Sequence, residues 1–393
     1  MPQSGSPGIL SPAALGPVSL RNRIIKSATF EGRAPRGLVT DDLIGFHRRF
    51  AAGGVGMTTL AFCAVTADGR QFAPMIQMGR EAVPGLRRLT EAVHAEGAAA
   101  SVQIGHAGVV ANAKSTGLPA LGPVKRFDPQ NLRSCRMATK ADLRRVVAAF
   151  GDATDVAVDS GFDAVEVHLG HDYLPSSFLS PHLNRRDDEY GGSLENRARF
   201  AREITRTVRE RAKDRIAVIA KLTMDDGVRG GFWIDEAVQV ARWLEADGHL
   251  DALELTMGSS PGNTMYMFRG EPPIREFAAA MPQPRRLMVR LGGRLKLRSY
   301  EYRPLYMLDA ARQIRAAVGL PLILLGGITE KAHMDTAMDE GFQFVAMGRA
   351  LLREPDLVNR IQTDPSHRSL CIHCNKCVPT IFAGGTHCVL ATD

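Results

Sequence analysis

His168, His171 and Tyr173 stand at H-x-x-H-x-Y spacing in the stretch from Gly161 to Phe200, GFDAVEVHLGHDYLPSSFLSPHLNRRDDEYGGSLENRARF. Two imidazoles and a phenol so placed can donate hydrogen bonds to a polarised group and supply a proton. An H-x-x-H pair can also ligate a metal, but no third ligand lies nearby at metal-like spacing. Paired donors toward a carbonyl therefore fit better. A core-packed side chain with a satisfied hydroxyl is the plainer alternative for Tyr173. Lys221 closes the apolar run AVIAKL, where an unpaired cation would be costly. It must face a group that is or becomes negative, or pair structurally with Asp225 or Asp226. Gln103, in VQIGHAG, can offer both a donor and an acceptor to the edge of a heterocycle. Gly326-Gly327 in LLGGI and Gly348-Arg349 in AMGRALL each lead from an apolar run into a helical pattern. Either alone reads as a turn; together they can surround a phosphate with backbone N–H groups.

Those residues are far apart in sequence and need a scaffold that brings them to one face. Apolar runs followed by amphipathic patterns recur along the chain, the signature of βα units. The runs predict strands at 23–28, 56–62, 98–104, 162–168, 216–222, 252–256, 321–325 and 344–347. Helices are predicted over 41–52, 84–96, 140–160, 194–212, 234–247, 305–318, 330–340 and 350–361. Eight strand–helix pairs predict an α/β protein, a (β/α)8 TIM barrel. An open doubly wound sheet would want G-x-G-x-x-G after its first strand, and KSATFEGRAP does not provide it. Barrel active sites form at the C-terminal ends of the strands, where Ser27, Ala28, Thr29, Gln103, His168, Lys221, Gly326, Gly327 and Gly348 fall. Three additions are expected: a hairpin over 9–20 closing the barrel bottom, an insertion over 257–304 after the sixth strand, and a Cys-rich appendix over 366–393. The barrel with its insertion is assigned to 1–365.

The 393 residues are 45% hydrophobic and 23% charged, enough for a large core in an ordinary globular chain. The N-terminus has no basic n-region followed by an apolar h-region, and no segment approaches ~18 uninterrupted apolar residues. A cytoplasmic protein without a membrane partner is expected. The net charge of +7 is modest, and its excess is concentrated between Arg269 and Arg303, where eight Arg and one Lys face three Glu. That segment is either a solvated loop surface or an attractor for a phosphorylated cofactor or acyl-CoA. No aromatic side chains interleave the charges in a nucleic-acid-binding pattern, so no nucleic-acid partner is expected.

Four of the six cysteines, Cys371, Cys374, Cys377 and Cys388, are spaced C-x2-C-x2-C-x10-C. Such clustering in a cytosolic protein argues for metal or cluster binding over disulfides. The spacing suits an iron–sulfur cluster, zinc or free thiols.

Several motifs carry a resemblance to a known family over essentially the whole length: LRNRIIKSAT, GGVGMTTLAFCAVTADGR, VQIGHAG, GFDAVEVHLGHDYL with DDEYGGSLENRARF, and FVAMGRALLREPDL. The chain resembles the Old Yellow Enzyme family of FMN-dependent ene-reductases. The resemblance implies FMN, with NAD(P)H as reductant and an activated alkene, such as an α,β-unsaturated carbonyl compound, as substrate. It places Ser27, Ala28 and Thr29 against the flavin and Gln103 on its pyrimidine edge. Lys221 would offset negative charge on the reduced ring. Gly326, Gly327, Gly348 and Arg349 would hold the phosphate and flank the ring. His168 and His171 would grip the substrate's activating group, and Tyr173 would donate the proton. Phe30 departs from the pattern, occupying the position where many members carry Thr or Cys near the flavin carbonyl. The tail resembles the [4Fe–4S] site of the iron–sulfur members, such as dienoyl-CoA reductase and trimethylamine dehydrogenase. It supports an alternative reading, a dehydrogenase that oxidises an amine or similar donor and passes electrons to a partner. Oligomeric state is left open, a homo-oligomer being one expectation.

Overall fold

Apolar runs rich in Val, Ile, Leu and Ala cannot leave either face in water, and they resolve this by closing on themselves. The computed structural model describes residues 8–72, 75–112, 116–128, 133–283 and 285–391. Eight parallel strands form a closed barrel in chain order. They are β1 (Ile24–Lys26), β2 (Met57–Ala64), β3 (Ala99–Gly105), β4 (Ala164–Leu169), β5 (Ala217–Thr223), β6 (Ala252–Thr256), β7 (Leu322–Leu325) and β8 (Phe344–Met347). β8 pairs with β1, Val345 opposite Ile24, to complete the ring. β2, β4, β5, β6 and β8 are buried at every position, as strands covered on both faces must be. This is the expected (β/α)8 barrel.

The outer ring consists of α1 (Asp41–Ala52), α2 (Val83–Ala95), α3 (Lys140–Asp159), α4 (Leu194–Ala212), α5 (Ile234–Asp247), α6 (Leu308–Arg315), α7 (Lys331–Asp339) and α8 (Leu357–Thr363). Side-chain caps fix where the longer ones begin. Thr139 and Asp142 form a capping box on α3, and the Ser193 hydroxyl accepts from Asn196 N at the start of α4. The single helix expected over 350–361 is two, Arg349–Arg353 and α8. Pro355 lacks the N–H that would continue the first one and displaces its predecessor from helical geometry.

Below the barrel, a hairpin of Ala13–Leu15 and Val18–Leu20 places Leu15 and Leu20 against Ile25, Ile219, Ile323 and Phe344 from the strands' lower ends. It forms the barrel floor. A three-stranded sheet of Ala120–Gly122, Arg126–Asp128 and Arg133–Met137 follows β3. Its strands are too short to show a period in the sequence. After β6 the insertion carries three helices, Thr264–Phe268, Ile274–Ala279 and Arg285–Lys296. The Cys-rich segment lies across the upper mouth. Thr386 N donates to Glu31 O at 2.7 Å, and Asn375 Nδ2 donates to Arg269 O at 2.7 Å, tying it to the loop after β1 and to the insertion. Among the described residues, no helix is long and apolar enough to cross a membrane.

Candidate active site

Strand direction decides what the upper mouth contains. The parallel register sets His168 beside Lys221, Lys221 beside Glu254, and Gln103 beside Glu166. A cavity of about 400 Å³ opens above them, within the range typical of small-molecule sites. Its lining brings together every flavin- and substrate-site residue expected from the sequence. Ser27, Ala28 and Thr29 come from the end of β1, Gln103 from β3, and His168, His171 and Tyr173 from β4 and beyond. Lys221 comes from β5, Gly326 and Gly327 from after β7, and Gly348 and Arg349 from after β8.

Lys221 is the best-connected charge at the site. Its Nζ lies 3.1 Å from Glu166 Oε1, 3.0 Å from Glu254 Oε1 and 3.3 Å from Ser27 Oγ. Asp225 and Asp226, the partners considered from sequence, bond elsewhere: to Tyr266 Oη and to Ser180 Oγ with Phe232 N. Gln103 Nε2 donates to Glu166 Oε1 at 2.5 Å, which leaves its carbonyl oxygen for another donor. Ser27 Oγ donates to Glu254 Oε1 at 2.7 Å, while Glu254 Oε2 is buried without a partner among the described residues. Burial works against the charge on Lys221, but the two carboxylates more than offset it and raise its pKa. Burial, reinforced by the neighbouring Glu254 charge, pushes Glu166 up to about 8 despite Lys221. One ammonium thus balances one carboxylate at neutral pH, and the second carboxyl keeps its proton.

The turn after β4 is built to present its imidazoles. Gly170 N donates to His168 Nδ1 at 3.2 Å, so His168 carries its own proton on Nε2. His171 and Asp172 both adopt positive φ, 60° and 61°, a conformation costly for residues with a Cβ. Three bonds hold it. Thr223 Oγ1 accepts from His171 N at 2.9 Å, Thr256 Oγ1 meets His171 Nε2 at 2.9 Å, and Ser259 Oγ donates to Asp172 Oδ2. The two imidazole rings stand edge to face, with centroids 5.1 Å apart. Burial, with Lys221 adding to it, pushes His171 down to about 3. Burial followed by the charges of His171 and Lys221 holds His168 well below the ordinary histidine range. Both are neutral donors at physiological pH. Tyr173 packs on Phe62 and His168, with ring centroids 5.2 and 4.6 Å away, and donates to Gln71 Oε1 at 2.9 Å. Burial pushes its phenol up to about 12, so it stays protonated.

At the opposite end of the cavity the chain turns through Gly326 and Gly327 with φ of 104° and 76°. A Cβ on Gly327 would meet Leu305 N at 2.7 Å. Arg349 lines the cavity there, but its guanidinium is already engaged by Asn375 Oδ1 and by Phe268 O, the latter at 2.7 Å. Phe30 makes no polar contact with its side chain and stacks on Phe72 at 5.3 Å; the neighbouring Thr29 hydroxyl accepts from the buried Lys26 Nζ at 2.5 Å. An amide edge, a buried cation, a glycine turn pair and an apolar wall together fit a flavin mononucleotide.

The four clustered cysteines are free and line one small cavity, together with Arg349 and His373. Among the described residues, no group of three or more His, Cys, Asp or Glu is arranged to hold a metal ion. Cys377 lines both this cavity and the larger one.

Sequence reasoning missed Glu166 and Glu254, although each is a charge inside an apolar run (VEVHL, LELT) and that is a readable signal. It also missed Gln71 and Phe72, on a loop, and Phe382, at the end of the short helical turn Pro379–Phe382, all positioned only by the closed fold.

The family model described as the NADH:flavin oxidoreductase / NADH oxidase family matches residues 8–255. The chain is 52% identical over 390 residues to the 4,4'-dithiodibutanoate disulfide reductase of Rhodococcus erythropolis, covering 99% of this chain and 96% of that protein. It is 31% identical over 378 residues to a metal reductase of Desulforamulus reducens, covering 95% of this chain and 52% of that protein, so it spans about half of that relative's length. Among solved structures, the old yellow enzyme homologue from Zymomonas mobilis superposes with a TM-score of 0.73 at 20% identity, covering 93% of this chain and 95% of that one. That last likeness is one of fold.

Proposed function

The chain belongs to the NADH:flavin oxidoreductase / NADH oxidase family, and we propose that it is a cytoplasmic reductase of activated C=C bonds, as in α,β-unsaturated carbonyl compounds. FMN, when bound, supplies hydride transfer between NAD(P)H and the acceptor. The protein's own residues do the rest. Gln103, Lys221 and Thr29 orient the ring system, and the turns at Gly326-Gly327 and Gly348-Arg349 receive its phosphate. The neutral imidazoles of His168 and His171 donate to the acceptor's electron-withdrawing oxygen and stabilise the negative charge that develops there. Tyr173 holds a proton at Oη for the α-carbon. The single observation that carries the reading is the turn holding His168, His171 and Tyr173 over the same cavity as Gln103 and Lys221.

A second acceptor class is supported by the 52% identity to a disulfide reductase. In that case the same hydride delivery would cleave an S–S bond of a small disulfide to one thiol and one thiolate, the thiolate taking its proton from solvent. The C-x2-C-x2-C-x10-C spacing of the tail supports a [4Fe–4S] cluster, and such a cluster would give electrons a route to or from a partner protein through Cys377.

Anaerobic mixing of flavin-loaded protein with NADH or NADPH tests the shared first half; an unbleached flavin spectrum sinks both acceptor readings and leaves the amine-oxidising alternative. Turnover with 2-cyclohexenone against 4,4'-dithiodibutanoate then separates the two acceptors.

A further inference from the structure

The Arg-rich segment is not a diffuse loop surface, and the active-site reading leaves most of it unused. Twelve of its residues form the helix Arg285–Lys296, RRLMVRLGGRLK, which contains no acidic residue. Its buried side is Gly293, where a Cβ would meet Ile274 Cδ1 at 3.1 Å, so the helix rests on Ile274–Ala279. Its outer side carries Leu287, Met288, Leu291 and Leu295, which are 55, 60, 78 and 88% exposed. At ~100° per residue these four fall within one arc of about 100°. Arg290 and Arg294 are exposed along one border of that arc. Four large apolar side chains lying together in water are not the scatter normal for a protein surface.

What covers the stripe must accept both apolar contact and a one-sided positive charge. A second copy of this chain in an antiparallel two-fold contact would set one Arg row against another with no acid on either helix to separate them. A continuous apolar stripe edged by arginines instead has the form of a helix lying in a bilayer interface, with its leucines toward the acyl chains and its guanidinium groups at the phosphates.

We propose that the helix Arg285–Lys296 docks this protein onto an anionic phospholipid bilayer. The expectation of no membrane partner rested on the want of a spanning segment, and a helix that lies on the surface needs none. Docking would also bring the active site close to the lipid. The supporting helix Ile274–Ala279 contributes Phe277 to the large cavity's lining, and Leu297, directly after the docking helix, contributes its side chain too. The cavity's rim then lies one helix away from the lipid, where an apolar acceptor would be concentrated.

Flavin-loaded full-length protein is co-sedimented with vesicles of phosphatidylcholine alone and of phosphatidylcholine with phosphatidylglycerol. Expected is pelleting with the anionic vesicles only, with release at high salt. L291E/L295E should abolish it with the flavin spectrum unchanged, and R290Q/R294Q should weaken partition on the order of tenfold. The proposal is overturned if the wild-type protein stays in the supernatant with anionic vesicles at low salt, or if it binds neutral vesicles equally well. It is also overturned if light scattering shows a wild-type oligomer that L291E/L295E dissociates, since a second copy would then own the stripe.

Discussion

Lys221 Nζ and Glu166 Oε1 meet 3.1 Å apart inside the barrel, with side chains 3 and 2% exposed. At this depth the ammonium offsets the one negative charge that the two neighbouring carboxyls keep between them, and removing it strands that charge. Lys221→Met should lower unfolding free energy by about 3 kcal/mol and weaken flavin retention. Lys221→Arg should restore most of both. Urea denaturation of apo and flavin-loaded protein reads the two effects separately.

Glu166 should set the alkaline limit of flavin reduction. Below about pH 8 its carboxyl is neutral; above it an added buried negative charge opposes the charge that reduction brings. The NAD(P)H half-reaction should slow as pH rises through about 8, and Glu166→Gln should remove the break. The stability sign agrees. The folded pKa lies above the ordinary 4.5, so the contribution is whole below 4.5 and is lost as pH rises toward 8.

The imidazoles give the opposite dependence. His171 sits at about 3 when folded, below its ordinary 6.5, so its stabilising neutrality is intact above 6.5 and becomes a cost as pH falls toward 3. Activity should show no acid limb near 6.5. His168→Ala or His171→Ala should reduce kcat/KM for cyclohexenone about 10²-fold, with flavin reduction by NAD(P)H little changed in stopped-flow traces.

Tyr173→Phe should separate the acceptors. Protonation at carbon needs a positioned acid, so alkene turnover should fall ~10²-fold. Thiolate products need no proton from Oη, so disulfide turnover should fall less than threefold, on the order of 0.5 kcal/mol in barrier. Equal losses would show that the phenol serves binding alone.

Anaerobically purified protein should carry roughly four iron and four acid-labile sulfide per chain. Cys374→Ser should lower both while leaving the barrel's far-UV circular dichroism unchanged. Flavin bands without iron in protein never exposed to oxygen would eliminate the cluster.

The barrel and most of its rim were legible because closed parallel sheets impose one pattern, an apolar run followed by an amphipathic helix, eight times over. His168, Lys221 and Gly348 end such runs, so the fold rule alone placed them at one mouth. The pairing of Lys221 was not legible. Its neighbour in sequence, Asp225, lies on the next loop, while Glu254 reaches it through strand register across 33 residues. Phe382, from the far tail, meets Phe72 at 5.6 Å across a distance no periodicity encodes. The break at Pro355 was written plainly in the sequence and should have ended the helix there.

The β1–β8 seam has a consequence for how the molecule is made. Ile24 and Val345 must find one another across most of the chain, the slowest class of contact to form. During synthesis the floor hairpin and early strands are available long before β8 leaves the ribosome, so the wall stays open until β8 has emerged. The glycine turns after β7 and β8 emerge with those strands, and a nascent or truncated chain lacking them has no phosphate end to offer. Yellow colour should therefore report closure of the wall: shortened chains ending before Phe344 should be recovered colourless.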